Sequence, residues 1–146
     1  MSQHEEFDVL AGFDRDAQRQ WMQSLRPRTA SIELVFLDGD TNHPLTGALA
    51  WLTPIRQVGV GERPGYQRPQ SAAVLHRYPY DRTILQALDG LGGLFEHIPS
   101  PSGDRVQFTT LGNVDVSFLD RSGAIIGSTV THEGLILMRQ GDTPSQ

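Results

Sequence analysis

The chain has 146 residues, a formal net charge of −5 and a hydrophobic content of 38%, values typical of a single folded domain. It has no cysteine, which excludes disulfides, thiolate metal sites and a cysteine nucleophile. It has no lysine either, since all 12 cationic residues are arginine, and this excludes Schiff-base chemistry and a phosphate-loop lysine. The acidic balance argues against nucleic acid as a partner, because phosphate binding needs a basic surface.

We expect neither a signal peptide of the usual kind nor a membrane span, which needs roughly 20 apolar residues. Its first residues, Met1 to Phe13, are acidic and polar, whereas a signal peptide is basic and then apolar. We therefore expect a soluble protein without membrane contact that is either cytoplasmic or exported as part of a larger machine. We expect one domain over residues 1–146, with frayed ends near 1–8 and 140–146.

The first predicted element is a helix from Asp14 to Leu25. Ala17, Trp21 and Leu25 recur at four-residue intervals, which places them on one face of a helix. Asp14 is suited to cap the first turn, and Pro27 ends the helix. We expect Trp21 to anchor this helix on a sheet, since a large aromatic side chain on an apolar face is typical of a core contact.

The clearest pattern in the chain, from Ser31 to Pro54, predicts two paired strands joined by a turn. Residues Ser31 to Leu37 alternate between two largely apolar faces, which is typical of a central strand. A cluster of turn residues follows from Asp38 to Pro44, and Leu45 to Thr53 then resumes as an extended segment. This second segment is expected to pair with the first strand.

A long loop is predicted from Arg56 to Ser71, because glycine and proline residues interrupt any regular pattern there. Arginine and tyrosine, which dominate the binding energy of many interfaces, occur in and after this loop. We interpret it as a partner-binding surface, and a mobile surface loop is the alternative. The predicted partner-binding residues are Arg56, Arg63, Tyr66, Arg68, Tyr78, Tyr80 and Arg82. Replacing Arg63, Tyr66 or Arg68 by alanine is expected to leave thermal stability nearly unchanged.

The segment from Ala72 to Tyr78 predicts a short strand, and a second helix is predicted from Asp81 to Leu91. Asp81 is suited to cap this helix, and glycines close it. His76 and Asp81 offer a base and an orienting carboxylate, so a small enzyme with a site near these two residues is one alternative. A helix cap beside packing aromatic residues is the other interpretation.

The rest of the chain is strand-like, and its short links favour an antiparallel meander. The predicted strands are Arg105 to Thr110, Asn113 to Leu119, Ala124 to Thr131 and Leu135 to Met138. The predicted fold class is therefore mainly β, an antiparallel sheet or sandwich with two short helices near Asp14–Leu25 and Asp81–Leu91. The alternative is an α+β fold with one antiparallel sheet.

We expect neither a metal nor another cofactor. The five histidines are scattered, and no two lie three or four residues apart as in many zinc sites. Asp38, Asp40 and His43 lie close together in sequence, and we interpret them as turn residues rather than metal ligands. No serine has the G-x-S-x-G pattern of a nucleophile elbow, so no catalytic residue is assigned.

The pattern DxDTxxPLxGAxAxL, from Asp38 to Leu52, resembles the strand, turn and strand that open carboxypeptidase-regulatory-like and Cna-B-type immunoglobulin-like domains. A second part, from Gly103 to Phe118, is similar to their closing strands. The resemblance implies a β-sandwich that acts as a non-catalytic stalk, linker or adhesion module. The predicted helices at Asp14 and Asp81 are not part of that pattern. The isopeptide bond of some such domains needs a lysine, which this chain lacks.

These observations favour a non-enzymatic module that binds another protein, as a structural or adaptor component of a larger assembly in a hetero- or homo-oligomer. The first alternative is a small acidic inhibitor or immunity-type protein that neutralises a toxin, which the net charge of −5 would suit. The second alternative is a small enzyme that uses His76, Asp81 or His132. Neither nucleic acid nor a membrane is an expected partner.

Overall fold

The computed structural model describes residues 7–11, 15–63, 68–90, 97–99, 102–107, 113–133 and 135–140. In these residues it contains three α-helices, two short 3₁₀ helices and nine strands. The α-helices are α1 (Arg15–Leu25), α2 (Pro44–Ala48) and α3 (Arg82–Gly90), and the 3₁₀ helices are Arg26–Arg28 and Thr131–Glu133. The strands are β1 (Phe7–Ala11), β2 (Ser31–Phe36), β3 (Ile55–Val60), β4 (Gln70–Pro79), β5 (His97–Pro99), β6 (Arg105–Gln107), β7 (Val114–Leu119), β8 (Ile125–Val130) and β9 (Leu135–Arg139).

Seven of these strands form one antiparallel sheet in the order β1-β9-β8-β7-β2-β4-β3, and β5 and β6 pair with each other. β2 lies in the interior of the large sheet, where Leu34 is opposite His76 of β4 on one side and Val116 of β7 on the other. The prediction of a mainly β fold is confirmed. The prediction that Ser31 to Leu37 forms a central strand is confirmed as well.

The three α-helices contribute to one core with the face of the sheet that carries Leu34, and we call this side the helix face. On α1, the ring of Trp21 meets Phe118 of β7 edge-on at a centroid distance of 5.1 Å. Gly127 of β8 lies under the same helix, and a Cβ there would be only 2.6 Å from Cδ1 of Leu25. The glycine therefore allows α1 to approach the sheet closely, and the predicted role of Trp21 as an anchor is confirmed.

The opposite side of the sheet combines two smaller apolar clusters, around Val35 and around Phe7, with buried polar groups. Asp115 of β7 is buried, and its carboxylate accepts hydrogen bonds from the backbone N–H and the hydroxyl of Thr131, at 2.8 and 2.9 Å. Glu33 of β2 is buried too. We call this side, which carries Glu33 and Asp115, the polar face. Because a buried charge without a partner is costly, the stability of the polar face depends on contacts such as the hydrogen bonds of Asp115.

The prediction of a strand from Leu45 to Thr53 is wrong, because this segment begins within helix α2. Pro44 stands in the first turn, where its missing N–H costs nothing, and Nδ1 of His43 accepts the N–H of Leu45 at 3.0 Å as a cap. Leu45 and Leu49 are both buried, and their spacing of four fits one face of a helix as well as one face of a strand. β2 therefore pairs with β4 and β7 instead of with this segment.

The prediction of a loop from Arg56 to Ser71 is wrong at both ends, since β3 and the start of β4 occupy them. Gly59 has a φ of +84°, and the strand register shifts between Val58 and Val60. The glycine is thus accommodated in an irregularity of the β3–β4 pair rather than ending the strand. Residues 64–67 lie outside the described part of the chain.

Most of the remaining predicted elements agree with the structure. β7, β8 and β9 form the predicted meander, although β6 pairs with β5 instead of joining it. Asp81 caps α3 as predicted, because its Oδ1 accepts the N–H of Thr83 at 2.9 Å. The predicted cap at Asp14 lies outside the described residues. β1 includes Phe7 and Asp8, which the sequence places in a frayed end.

Candidate protein interface

β3 is an edge strand with a large amount of exposed apolar surface. It ends the order of the sheet, so only β4 pairs with it among the described strands. Ile55 and Val58 are 65% and 64% exposed, and Trp51, just before β3, is 60% exposed. Soluble proteins usually blunt such edges with charge, whereas β3 carries a single charged residue, Arg56. This strand is therefore the strongest candidate for an interface in the described part of the chain.

The exposed apolar side chains of β3 lie on opposite faces of the ribbon that β3 forms with β4. Ile55 is opposite Arg77, and Val58 is opposite Val74. The two residues are three positions apart, and successive side chains of a strand alternate between its faces. A strand that paired with β3 would therefore meet apolar surface on both faces, in addition to the outer N–H and C=O groups of the edge.

His76 of β4 is the partner of Arg56 in the strand register, and it is buried against aromatic rings. Its ring meets Phe36 edge-on at a centroid distance of 5.2 Å. Burial, together with the charge of Arg56, lowers the pKa of His76 and so favours the neutral imidazole. Asp81 lies at the start of α3, where hydrogen bonds from Thr83 lower the pKa of its carboxyl group. His76 and Asp81 therefore lie in different surroundings. The small enzyme with a site near these two residues stays a prediction.

Arg63, which follows β3, is held in a buried ion group on the polar face. Glu33 is 2% exposed, and its Oε1 accepts a hydrogen bond from Nη2 of Arg63. Its Oε2 accepts two hydrogen bonds from Arg77, one of them from Nε at 2.8 Å. This group fastens the segment after β3 to the middle of the sheet. Sequence reasoning missed Glu33, although one carboxylate in a central apolar strand is a signal for a cationic partner.

Three of the predicted partner-binding residues lie on the surface. Arg56 is on β3 itself, Arg68 precedes β4, and Arg82 is in the first turn of α3 beside a groove between α1 and α3. Their role in binding stays a prediction. Tyr66 lies outside the described residues.

Packing removes Arg63 and Tyr78 from the surface and covers part of Tyr80. Arg63 is 7% exposed and pairs with Glu33, so the prediction that it is part of an accessible surface is wrong. The same prediction is wrong for Tyr78, which belongs to the main core under the helices. Tyr80 is half-buried against that core. The structure therefore moves the candidate interface from the predicted loop to the edge strand.

No family model, curated protein or solved structure matches the chain. The resemblance to carboxypeptidase-regulatory-like and Cna-B-type domains stays a prediction, and the segment up to Leu52 that would supply the second strand of that motif contains α2. Across the described ranges, no three potential metal ligands come together. Within the same ranges, no helix combines the length and the apolar character that crossing a membrane requires.

Proposed function

We propose that this chain is a non-enzymatic protein-binding module, a structural or adaptor component of a larger assembly, and that it binds its partner by strand addition at β3. The observation that carries the proposal is the open edge of β3 with its two exposed side chains, Ile55 and Val58. The partner supplies an extended segment that becomes the next strand of the sheet.

The physical basis is that strand addition satisfies the polar backbone and the apolar side chains of β3 together. Each new backbone hydrogen bond contributes about 0.5–1.5 kcal/mol net. Full burial of a side chain such as Ile55 or Val58 contributes roughly 1.5–3 kcal/mol. Arg56 lies between these two side chains and favours a partner strand with a carboxylate opposite it. The proposed partner is thus an extended, apolar segment with at least one acidic residue.

The other edge of the sheet offers a matched control. β1 is paired only with β9 among the described strands, and its Val9 is 61% exposed, nearly as much as Val58. A lysine at either position places one new charge on an edge strand, and edge lysines oppose strand pairing. Comparison of Val58→Lys with Val9→Lys therefore separates a contact at β3 from a general effect of added charge.

The test is co-purification of the tagged full-length chain from its native cells, followed by measurement of the affinity for the protein recovered. We expect Val58→Lys to weaken the complex at least about tenfold, a loss of about 1.4 kcal/mol, and Val9→Lys to retain it. Circular dichroism should show that both variants remain folded. A partner held equally well by Val58→Lys, or a wild-type chain that is recovered as a partner-free monomer, contradicts the proposal.

No observation on the described residues specifically favours either of the two alternative functions. The acidic inhibitor of a toxin is compatible with strand addition at β3, and the identity of the recovered partner decides between inhibitor and adaptor. The small enzyme near His76 and Asp81 stays a prediction, as does the compartment in which the protein works.

A further inference from the structure

A groove of about 390 Å³ lies between α1 and α3. Its floor is apolar, because Met22 belongs to the main core and Leu85 packs against that core. Gln23 and Gln86 add two side-chain amides, which can donate and accept hydrogen bonds, to its walls. A volume above roughly 300 Å³ is typical of binding pockets, so the groove can hold the side chains of a short peptide.

The two ends of this groove differ in charge. At one end, Nε of Arg19 donates a hydrogen bond to Asp89 at 2.7 Å, and Asp16 lies 3.8 Å from the same guanidinium group. Arg26 lies seven positions after Arg19, and Arg82 lies seven positions before Asp89. Seven positions correspond to about 10 Å along a helix, so Arg26 and Arg82 lie together at the other end.

The end with Arg26 and Arg82 has a surplus of positive charge. Both side chains are exposed, and in the part of the chain that the structure describes neither forms an ion pair. Asp81 is next to Arg82 in sequence, but it does not line the groove, and its Oδ1 accepts two hydrogen bonds from Thr83. Three arginines and one aspartate line the groove, a local surplus of two positive charges in a chain whose net charge is −5.

We propose that the groove between α1 and α3 docks an acidic, apolar segment of a partner protein, with two carboxylates opposite Arg26 and Arg82. The apolar side chains of the segment cover Met22 and Leu85, and each guanidinium group binds a carboxylate through paired hydrogen bonds. Two carboxylates match the surplus of two charges. The groove does not include β3, so this site is separate from the proposed strand addition.

The test is a titration of the isotope-labelled full-length chain with capped tetrapeptides at pH 7, read from the backbone N–H resonances of Met22 and Leu85. The main probe is acetyl-Leu-Leu-Glu-Glu-amide. We expect saturable shifts, and about tenfold weaker binding of acetyl-Leu-Leu-Gln-Gln-amide, since each of two exposed ion pairs is worth about threefold. Acetyl-Gly-Gly-Glu-Glu-amide lacks the apolar side chains and should also bind at least about tenfold more weakly.

Substitutions in the protein locate the contact. Arg82→Gln and Arg26→Gln each remove one charge from the groove and should each weaken binding of the main probe about threefold. Arg121→Gln is the matched control, because Arg121 is an exposed arginine in the turn between β7 and β8, outside the groove. It should retain the affinity of the wild type. Val58→Lys should retain it too, so failure of this site and failure of the β3 interface are distinguishable.

Four outcomes overturn the proposal. The first is that the main probe causes no saturable shift, and the second is that the glutamine peptide binds as tightly as the glutamate peptide. The third is that Arg82→Gln and Arg26→Gln lose no more affinity than Arg121→Gln. The fourth is that inorganic phosphate binds as tightly as the main probe and shifts the same resonances, which would indicate a general anion site instead of a peptide groove.

Discussion

The two faces of the seven-stranded sheet are buried by different means. On the helix face, hydrocarbon side chains of the strands pack against the α-helices, as Phe36 and Leu88 do. On the polar face, Glu33 and Asp115 are about 2% exposed and rely on ion pairs and hydrogen bonds. Side chains that are equally buried on the two faces are therefore stabilised by different interactions. The helix face should respond to changes in volume, and the polar face to the loss of a single partner.

The largest effect is expected on the helix face. Phe36 is fully buried and its ring contacts the rings of His43 and His76. Phe36→Ala removes this packing and should lower the free energy of unfolding by about 3–5 kcal/mol. Urea denaturation followed by circular dichroism measures the loss, and Phe36→Leu, which preserves much of the volume, should lose considerably less. Equal losses for the two substitutions would show that volume is not the governing quantity there.

Much of this face was predictable from local pattern, and part of it was not. Ser31 to Leu37 was predicted as a central strand because apolar residues occupy both of its faces. α2 was missed because the spacing of Leu45 and Leu49 suits a strand as well as a helix, and the cap from His43 decides between them. β3 was missed because glycines were interpreted as breaks. The pairing of β1 with β9 joins distant parts of the chain, which no local pattern specifies.

A smaller effect is expected on the polar face, at Arg63. From the sequence alone, replacing this residue by alanine is expected to leave thermal stability nearly unchanged. Arg63→Ala leaves Glu33 with Arg77 as its remaining ion-pair partner and should cost about 1.5–3 kcal/mol, the range for hydrogen bonds to charged groups. Arg68→Ala is the matched control, since Arg68 is exposed, and should stay within about 0.5 kcal/mol. Thermal and urea denaturation of both variants measure the difference. If Arg63→Ala were as harmless as Arg68→Ala, the ion group would not stabilise the fold.

The sequence identified the region of the candidate interface but not its geometry. Arg56 was predicted as a binding residue and lies on the exposed edge strand, where the apolar contacts of Ile55 and Val58 are the stronger signal. Arg63 was assigned to a partner-binding surface because it lies in the predicted loop, among arginine and tyrosine residues of the kind that dominate interfaces. Its actual position depends on Glu33, 30 positions away in the chain, and a pairing at that range follows only from the fold.

The smallest effect is expected where the sheet meets solvent, at the turn between β7 and β8. Asp120 accepts hydrogen bonds there from the hydroxyl of Ser122 at 2.6 Å, the N–H of Ala124 at 3.1 Å and Nη1 of Arg139 at 3.1 Å. The bond from Ser122 is the main cause that lowers the pKa of Asp120 from 3.8 to about 2. Because the pKa is lower in the folded state, the ionised carboxylate stabilises the fold above its ordinary pKa. That contribution is lost as the pH falls through about 2.

Asp120→Asn should therefore lower the free energy of unfolding at pH 7 by about 1 kcal/mol, since the amide keeps one accepting oxygen but not the charge. The variant should also lose less stability than the wild type when the pH is lowered from 4 to about 2. Urea denaturation at several pH values across this range measures both differences. Parallel pH profiles for the two proteins would mean that Asp120 is no more stabilised in the folded state than in the unfolded chain. The polar contacts that matter would then be the buried ones alone.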